Sequence, residues 1–175
     1  MRARQPRRPR PPLDEAALKE LGLAYVARFA TSRAKLNQYL RRKLHERGWA
    51  GSGDPPVTGI VEWAADSGFI DDPAYALSRA RSLGARGYGE RRVGKALRAA
   101  GIEEEDGAAA RDHARATASE AALRFARRKR LGPFSSTPAD RRDSDKALAA
   151  MIRAGHTFDV ARRILLLPSD FDSEA

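Results

Sequence analysis

Three stretches of this chain close in the same way, as a helical run with apolar residues four apart followed by a glycine. Gly48, Gly101 and Gly155 lie 53 and 54 residues apart. Eight and four residues ahead of them stand Leu40 and Leu44, Val93 and Leu97, and Ala147 and Met151. A feature recurring at such a period marks small units that cannot bury an apolar face alone and must stack on their neighbours. Each period has room for two strong helices and a shorter third. The spacing therefore predicts an all-α fold, an elongated, curved tandem array of three-helix repeats. The repeats fall at 13–70, 71–116 and 117–167, between a basic tail at 1–12 and an acidic tail at 168–175.

The local signals fill in the units. Leu18, Leu21, Tyr25 and Phe29 recur at steps of three and four, which predicts a helix over residues 14 to 30 capped by Asp14. Ser32 restarts the chain, and Leu36, Leu40 and Leu44 form one stripe ending at Gly48. Asp54 as cap and Pro55 in the first turn predict a third helix with Val57, Ile60, Val61 and Trp63, ending near Gly68. Asp72-Pro73 opens the next helix, carrying Tyr75 and Leu77 through Ala80. Val93 and Leu97 then point inward before the stop at Gly101, and Ala108 to Ala116 is a weak third helix. Thr117 with Glu120 reads as a capping box for Ala121 to Leu131. Thr137 or Asp140 caps a helix with Ala147, Leu148, Met151 and Ile152, and Thr157 starts a last one with Val160, Ile164 and Leu165.

Composition narrows what such an array can do. There is no cysteine, which removes disulfides, thiolate metal sites and a cysteine nucleophile. No run of 18 apolar residues occurs and no apolar stretch follows the basic start, so neither a membrane span nor secretion is expected. The cytoplasm is the default, and a monomer is the simpler expectation, because a repeat array closes its core without a partner subunit. The net charge of +10 implies a polyanion partner, nucleic acid or an acidic protein surface, unless it serves solubility alone. Arg2, Arg4, Arg7, Arg8 and Arg10 supply half of that excess from a proline-rich segment without a buried face, which reads as disordered. Asp170, Asp172 and Glu174 make the other end acidic.

Groups that could do chemistry have simpler uses. His45, His113 and His156 fall one to a unit without metal-ligand spacing, and read as chance surface or boundary residues. Asp72 before Pro73 suits the free N–H groups of the new helix, whereas Asp71 faces solvent or holds an arginine of a neighbouring unit or partner. Glu103, Glu104, Glu105 and Asp106 fit a helix start, where the macrodipole favours acids. Gly87 and Gly89 sit between two helices with no lysine-serine/threonine partner, so nucleotide binding is not expected. The residues imply no enzyme, no cofactor and no metal.

The arginines are the better signal. Opposite Val93, Arg91, Lys95 and Arg98 fall within an arc of about 60°. Arg42 takes the place of Lys95 in the first unit, and Arg79, Arg81 and Arg86 sit just ahead of Arg91. Arg124, Arg127, Arg128, Lys129 and Arg130 follow one unit later. They are either solvated faces or, on a stacked array, one long basic track.

Three stretches resemble the RecX family, regulators of the RecA recombinase: SRAKLNQYLRRKLHERGW, VEWAADSGFIDDPAYALSRARSLGARGYGERRVGKALRAAGI and, more weakly, KALAAMIRAGHTFDVARRIL. The middle stretch carries the family pattern on Gly68, Phe69, Ile70, Asp71, Asp72 and Tyr75, then on Gly87, Gly89, Arg92, Val93, Leu97, Gly101 and Ile102. The resemblance implies a modular array of three-helix repeats that is not an enzyme. Such a protein binds in the deep groove of the recombinase filament on DNA and suppresses strand exchange, ATP hydrolysis and stimulated repressor cleavage. Two departures stand out: Lys35 replaces the acid that commonly follows the serine equivalent to Ser32, and GPFSSTPADRRD is a longer, more polar connection than usual. On this reading Leu36, Leu40, Leu44, Trp63, Asp72, Tyr75, Val93, Leu97, Gly101, Met151 and Ile164 are structural. The candidates for meeting a RecA-type filament, or single- or double-stranded DNA weakly or through the filament, are Arg42, Arg79, Arg81, Arg86, Arg91, Lys95, Arg98, Arg127, Arg128 and Asp71. The alternative is a helical protein that binds nucleic acid directly, without a recombinase.

Overall fold

A computed structural model describes residues 11–136 and 140–168. The arginine-rich start, Thr137 and the acidic end with Asp170, Asp172 and Glu174 lie outside the described residues. Those residues hold nine α-helices and no strand: α1 Glu15–Val26, α2 Arg33–Arg47, α3 Val57–Asp66, α4 Asp72–Ala85, α5 Glu90–Ala99, α6 Ala108–Ala116, α7 Ala118–Lys129, α8 Arg141–Arg153 and α9 Phe158–Leu165. A single 3-10 turn, Gly132–Phe134, follows α7. The chain divides into two compact units between Asp72 and Pro73.

The first unit packs α1, α2 and α3 around Leu13, Leu18, Leu36, Leu40, Val57, Ile60 and Val61. Leu36 and Leu40 are fully buried, while Leu44 and Trp63 pack half-buried at the edge. The turn after α2 is fixed by backbone bonds that Leu13 exchanges with Gly48 and Ala50, at 3.0 and 2.8 Å. The N-terminus of α2 shows how the chain does without an acid at Lys35. Ser32 Oγ accepts the Lys35 N–H at 3.3 Å. The buried carboxylate of Asp72 accepts the Arg33 N–H at 3.0 Å and lies 3.5 Å from the Arg33 guanidinium. A distant acid thus faces the positive end of the α2 dipole. The expected role of Asp72 at its own helix was too local, because its side chain reaches back 39 residues in sequence.

The second unit has two apolar clusters. Ala76, Ala80, Leu83, Val93, Leu97, Ile102 and Ala110 join α4, α5 and α6, and Tyr75 packs half-buried against them. Ala122, Phe125, Met151, Ala161 and Ile164 join α7, α8 and α9. Tyr88 packs against both clusters. At Gly101 and Gly155 the chain turns with φ of +66° and +97°, the left-handed region that glycine enters without strain. In both turns the N–H three residues beyond the helix returns to the carbonyl of its last buried apolar residue, Ile102 to Leu97 and His156 to Met151. Gly48 closes α2 differently, by one bond to Leu44. The fully buried pair in α2 is Leu36 and Leu40, so α2 runs a turn further past its core pair than α5 does.

One junction organises the second unit. The N–H groups of Gly89 and Arg91, at the start of α5, donate to the carbonyls of Ala154 and Gly155, at the end of α8, at 3.1 and 3.0 Å. Two helix ends with opposite orphan groups satisfy each other directly. Contact this close needs bare backbone: a Cβ on Gly89 would lie 2.3 Å from the Gly155 oxygen. A Cβ on Gly155 would lie 2.6 Å from the Arg92 nitrogen.

Several local expectations differ from the structure. The first helix ends at Val26, not near residue 30, leaving Phe29 exposed. Asp54 caps nothing, because α3 begins at Val57 after a double proline and has no side-chain cap. α4 continues past Ala80 to Ala85. Thr117 does not make a capping box: its hydroxyl donates back to the His113 carbonyl at 2.8 Å, and Glu120 pairs with Arg124. Asp14, Asp140 and Thr157 do cap α1, α8 and α9.

The junction predicts a contrast between two glycines of α5 and its cap. Gly89 has extended backbone (φ −79°) that alanine adopts freely, so Gly89→Ala tests steric fit alone. It should lower unfolding stability by more than about 2 kcal/mol in urea titrations. Gly94→Ala, whose Cβ would meet nothing closer than 3.5 Å, should instead stabilise by about 0.4–1 kcal/mol.

Candidate cationic recess in the second unit

The G-x-G segment between α4 and α5 is a wall. Gly87, with φ +76°, passes so near α7 that a Cβ would lie 2.9 Å from the Phe125 nitrogen. Tyr88 then turns its ring toward the start of α5. There the guanidinium of Arg92 sits 4.5 Å, and that of Arg86 5.6 Å, from the ring centroid.

Beside Tyr88 lies a recess of about 450 Å³. Its charged lining is entirely cationic: Arg79 and Arg86 from α4 and the loop after it, Arg91, Arg92 and Lys95 from α5, and Arg153 from the last turn of α8. Its apolar lining is Leu83, Ala96, Ala99 and Ile152. Among the described residues none of the six cations forms an ion pair with an acid. The helix-end junction sets this geometry, since the same bond that seats Arg91 on Gly155 brings Arg153 to the α5 arginines.

The structure gathers Arg79, Arg86, Arg91 and Lys95 from among the sequence candidates and distributes the others. Arg81 leaves α4 on another side, two residues out of step with Arg79 and Leu83. Arg98 lines a flanking recess with Glu90, Arg111 and Arg115, and Arg91 borders both. Arg42 belongs to the first unit, on an open face of α2 with Arg33, Arg41 and His45, and lies 3.6 Å from Glu46. Arg127 stacks over Phe134 at 5.4 Å. Arg128 donates to the Arg86 carbonyl and lies over Phe125, and Arg124 donates to the Gly84 carbonyl at 3.3 Å. Both close carbonyls at the C-terminus of α4, where positive charge offsets the dipole. Asp71 is exposed in the turn before α4. Arg92, Arg153 and Tyr88 were not among the candidates. Arg92 was legible, one turn before Lys95. Arg153 had no signal, because only the fold brings it to α5.

His156 is buried rather than superficial, being 1 % exposed. Its Nε2 lies 3.2 Å from the Gly87 carbonyl and its ring meets Phe125 edge-on. Nδ1 is buried with no hydrogen-bond partner. Glu90, Arg115 and Arg163 line a small recess with it. No group of three histidine, aspartate or glutamate side chains gathers as a metal site among the described residues. None of their helices is long and apolar enough to cross a membrane.

Fold and recess together define an all-α protein with an acid-free cationic cleft. No protein-family model matches the chain. The regulatory protein RecX of Myxococcus xanthus is 33 % identical over 172 residues, covering 93 % of this chain and 90 % of that protein. RecX of Halorhodospira halophila is 30 % identical over 83 % of this chain and 84 % of that one. The crystal structure of RecX from Lactobacillus salivarius has the same fold, with a TM-score of 0.68 at 18 % identity over 86 % of this chain and 93 % of that one. A second crystal structure of a regulatory protein RecX gives 0.65 at 23 % identity, over 86 % and 70 %. This chain belongs to the RecX family of regulatory proteins.

Burial lowers the His156 pKa from its ordinary 6.5, against a smaller upward pull from the Gly87 carbonyl. Folding therefore favours the neutral ring, a contribution complete above the ordinary value and lost as pH falls toward the folded one. The His156 contribution to the unfolding free energy from urea titrations should be flat above about pH 7 and decline below about 6.5, by at most about 1.4 kcal/mol per pH unit. His156→Leu should flatten that decline, whatever its own baseline stability.

Proposed function

We propose that this chain regulates a RecA-type recombinase by binding its filament on DNA and holding back strand exchange and ATP hydrolysis. Membership of the RecX family supports the regulatory role, and the acid-free recess at the start of α5 supports a polyanionic target. A recombinase filament on DNA offers both acidic side chains and phosphates. Arginine forks engage either through paired hydrogen bonds.

The chain acts as a three-repeat array, with the three apolar clusters as the cores of successive repeats. It works as a cytoplasmic monomer without a catalytic step. Arg42 on the first unit and the Arg79–Arg153 recess on the second meet different points of the filament, and weak contacts then add through effective concentration. Lodged in this way, the protein obstructs the DNA movement and subunit changes that accompany ATP turnover.

Charge reversal in the recess separates binding from folding. Arg91→Glu with Lys95→Glu should reduce co-sedimentation with recombinase filaments on single-stranded DNA by about tenfold or more, since two charge-assisted contacts are each replaced by repulsion. Inhibition of ATP hydrolysis should fall in parallel, while helicity and melting temperature stay near wild type. Unchanged filament binding would remove the recess from the interface. Wild-type binding without inhibition would keep the partner and reject the regulatory role.

A further inference from the structure

The recess has more room, more charge and more apolar lining than a carboxylate needs. Six cations with no internal acid border about 450 Å³, within the range of sites that enclose small organic molecules. A glutamate or aspartate side chain would fill a fraction of that space and neutralise one charge. Leu83, Ala96, Ala99 and Ile152 would then remain uncovered. A nucleotide satisfies both halves: its phosphates meet the guanidinium and ammonium groups, and its flat base meets the apolar residues beside Tyr88. Guanidinium planes and tyrosine rings are the surfaces on which unpaired bases stack. Arg92 and Arg86 already lie over the Tyr88 ring, 4.5 and 5.6 Å from its centroid, so cations and ring are pre-arranged together.

We infer that the recess binds a nucleotide with an unpaired base, as one unit of a single DNA or RNA strand. A base-paired duplex holds its bases in the stack and can offer the recess phosphates alone. This deepens the regulatory reading, on which the protein works inside a filament on single-stranded DNA. It names the strand, rather than the recombinase, as what the second unit grips. The absence of a glycine-rich phosphate loop does not oppose it, because the charge here comes from side chains converging from three helices rather than from backbone amides.

The test uses the whole chain and fluorescence anisotropy at one fixed ionic strength, with a labelled oligo-dT, a duplex of equal length, and ATP as competitor. Wild type should bind the single strand at least about tenfold more tightly than the duplex, because the duplex keeps the phosphate contacts but loses the stacked base. Ala99→Glu, an exposed position lining the recess, should abolish that preference. Ala108→Glu, exposed on α6 and with the same change in charge, should keep it within about twofold, as a non-specific electrostatic effect would. Circular dichroism melts of both variants check that the fold is kept. Displacement of the strand by ATP would assign the same site to nucleotides in free form as well.

Equal affinity for single strand and duplex, or equal loss in the two variants, would overturn the inference. So would an Ala99→Glu protein that loses filament binding yet keeps its oligonucleotide preference, since the recess would then meet recombinase carboxylates. Oligonucleotide binding that survives in a protein indifferent to recombinase filaments would instead overturn the regulatory reading and leave this inference standing.

Discussion

The second unit depends on one exchange of backbone hydrogen bonds, where the closing carbonyls of α8 receive the opening amides of α5. Every helix leaves such groups unmet at its ends, and burying them unpaired is costly. Most helices here meet the cost locally, with an aspartate, a threonine or a glycine turn. At this junction the two debts cancel across more than sixty residues of chain, and the result fixes direction as well as distance. Gly89 and Gly155 are required because any side chain would separate the two backbones. Arg91 and Arg92 of α5 and Arg153 of α8 are thereby held around one space.

The first unit solves the same end problem with side chains. Ser32 and Asp72 together close the α2 N-terminus, and Asp72 arrives from the far end of the unit's sequence. Lys35 looks like a lost cap when the sequence is read locally. The acid that matters is supplied through space. The charge pattern of a helix start is therefore a property of the folded unit, not of the four residues that spell the cap.

Reading the sequence worked best where a single physical demand produces a short-range pattern. The buried pairs Leu36 and Leu40, Val93 and Leu97, and the bounds of Ala108 to Ala116 follow from spacing that a helix imposes directly. Asp14, Asp140 and Thr157 behaved as caps because their partners lie three residues away. Thr117 did not, since its hydroxyl donates back to the His113 carbonyl instead of accepting an N–H of the new helix. Half of the recess was visible as the arginines of α4 and α5. Arg153 and the burial of His156 were not, because nothing in a linear pattern states which helix ends will meet. The family resemblance pointed to the G-x-G stretch, and the structure supplies the steric reason for both glycines.

Arg124 and Arg128 add a last distinction. Their guanidinium protons are engaged with the carbonyls of Gly84 and Arg86, yet their charge still radiates into solvent. Long-range attraction counts every cation, whereas a lasting grip needs donors that point outward and are unoccupied. The protein therefore draws in an anionic target with more of its arginines than it can use to hold it. How fast a complex forms and how long it lives are set by two different subsets of the same residue type.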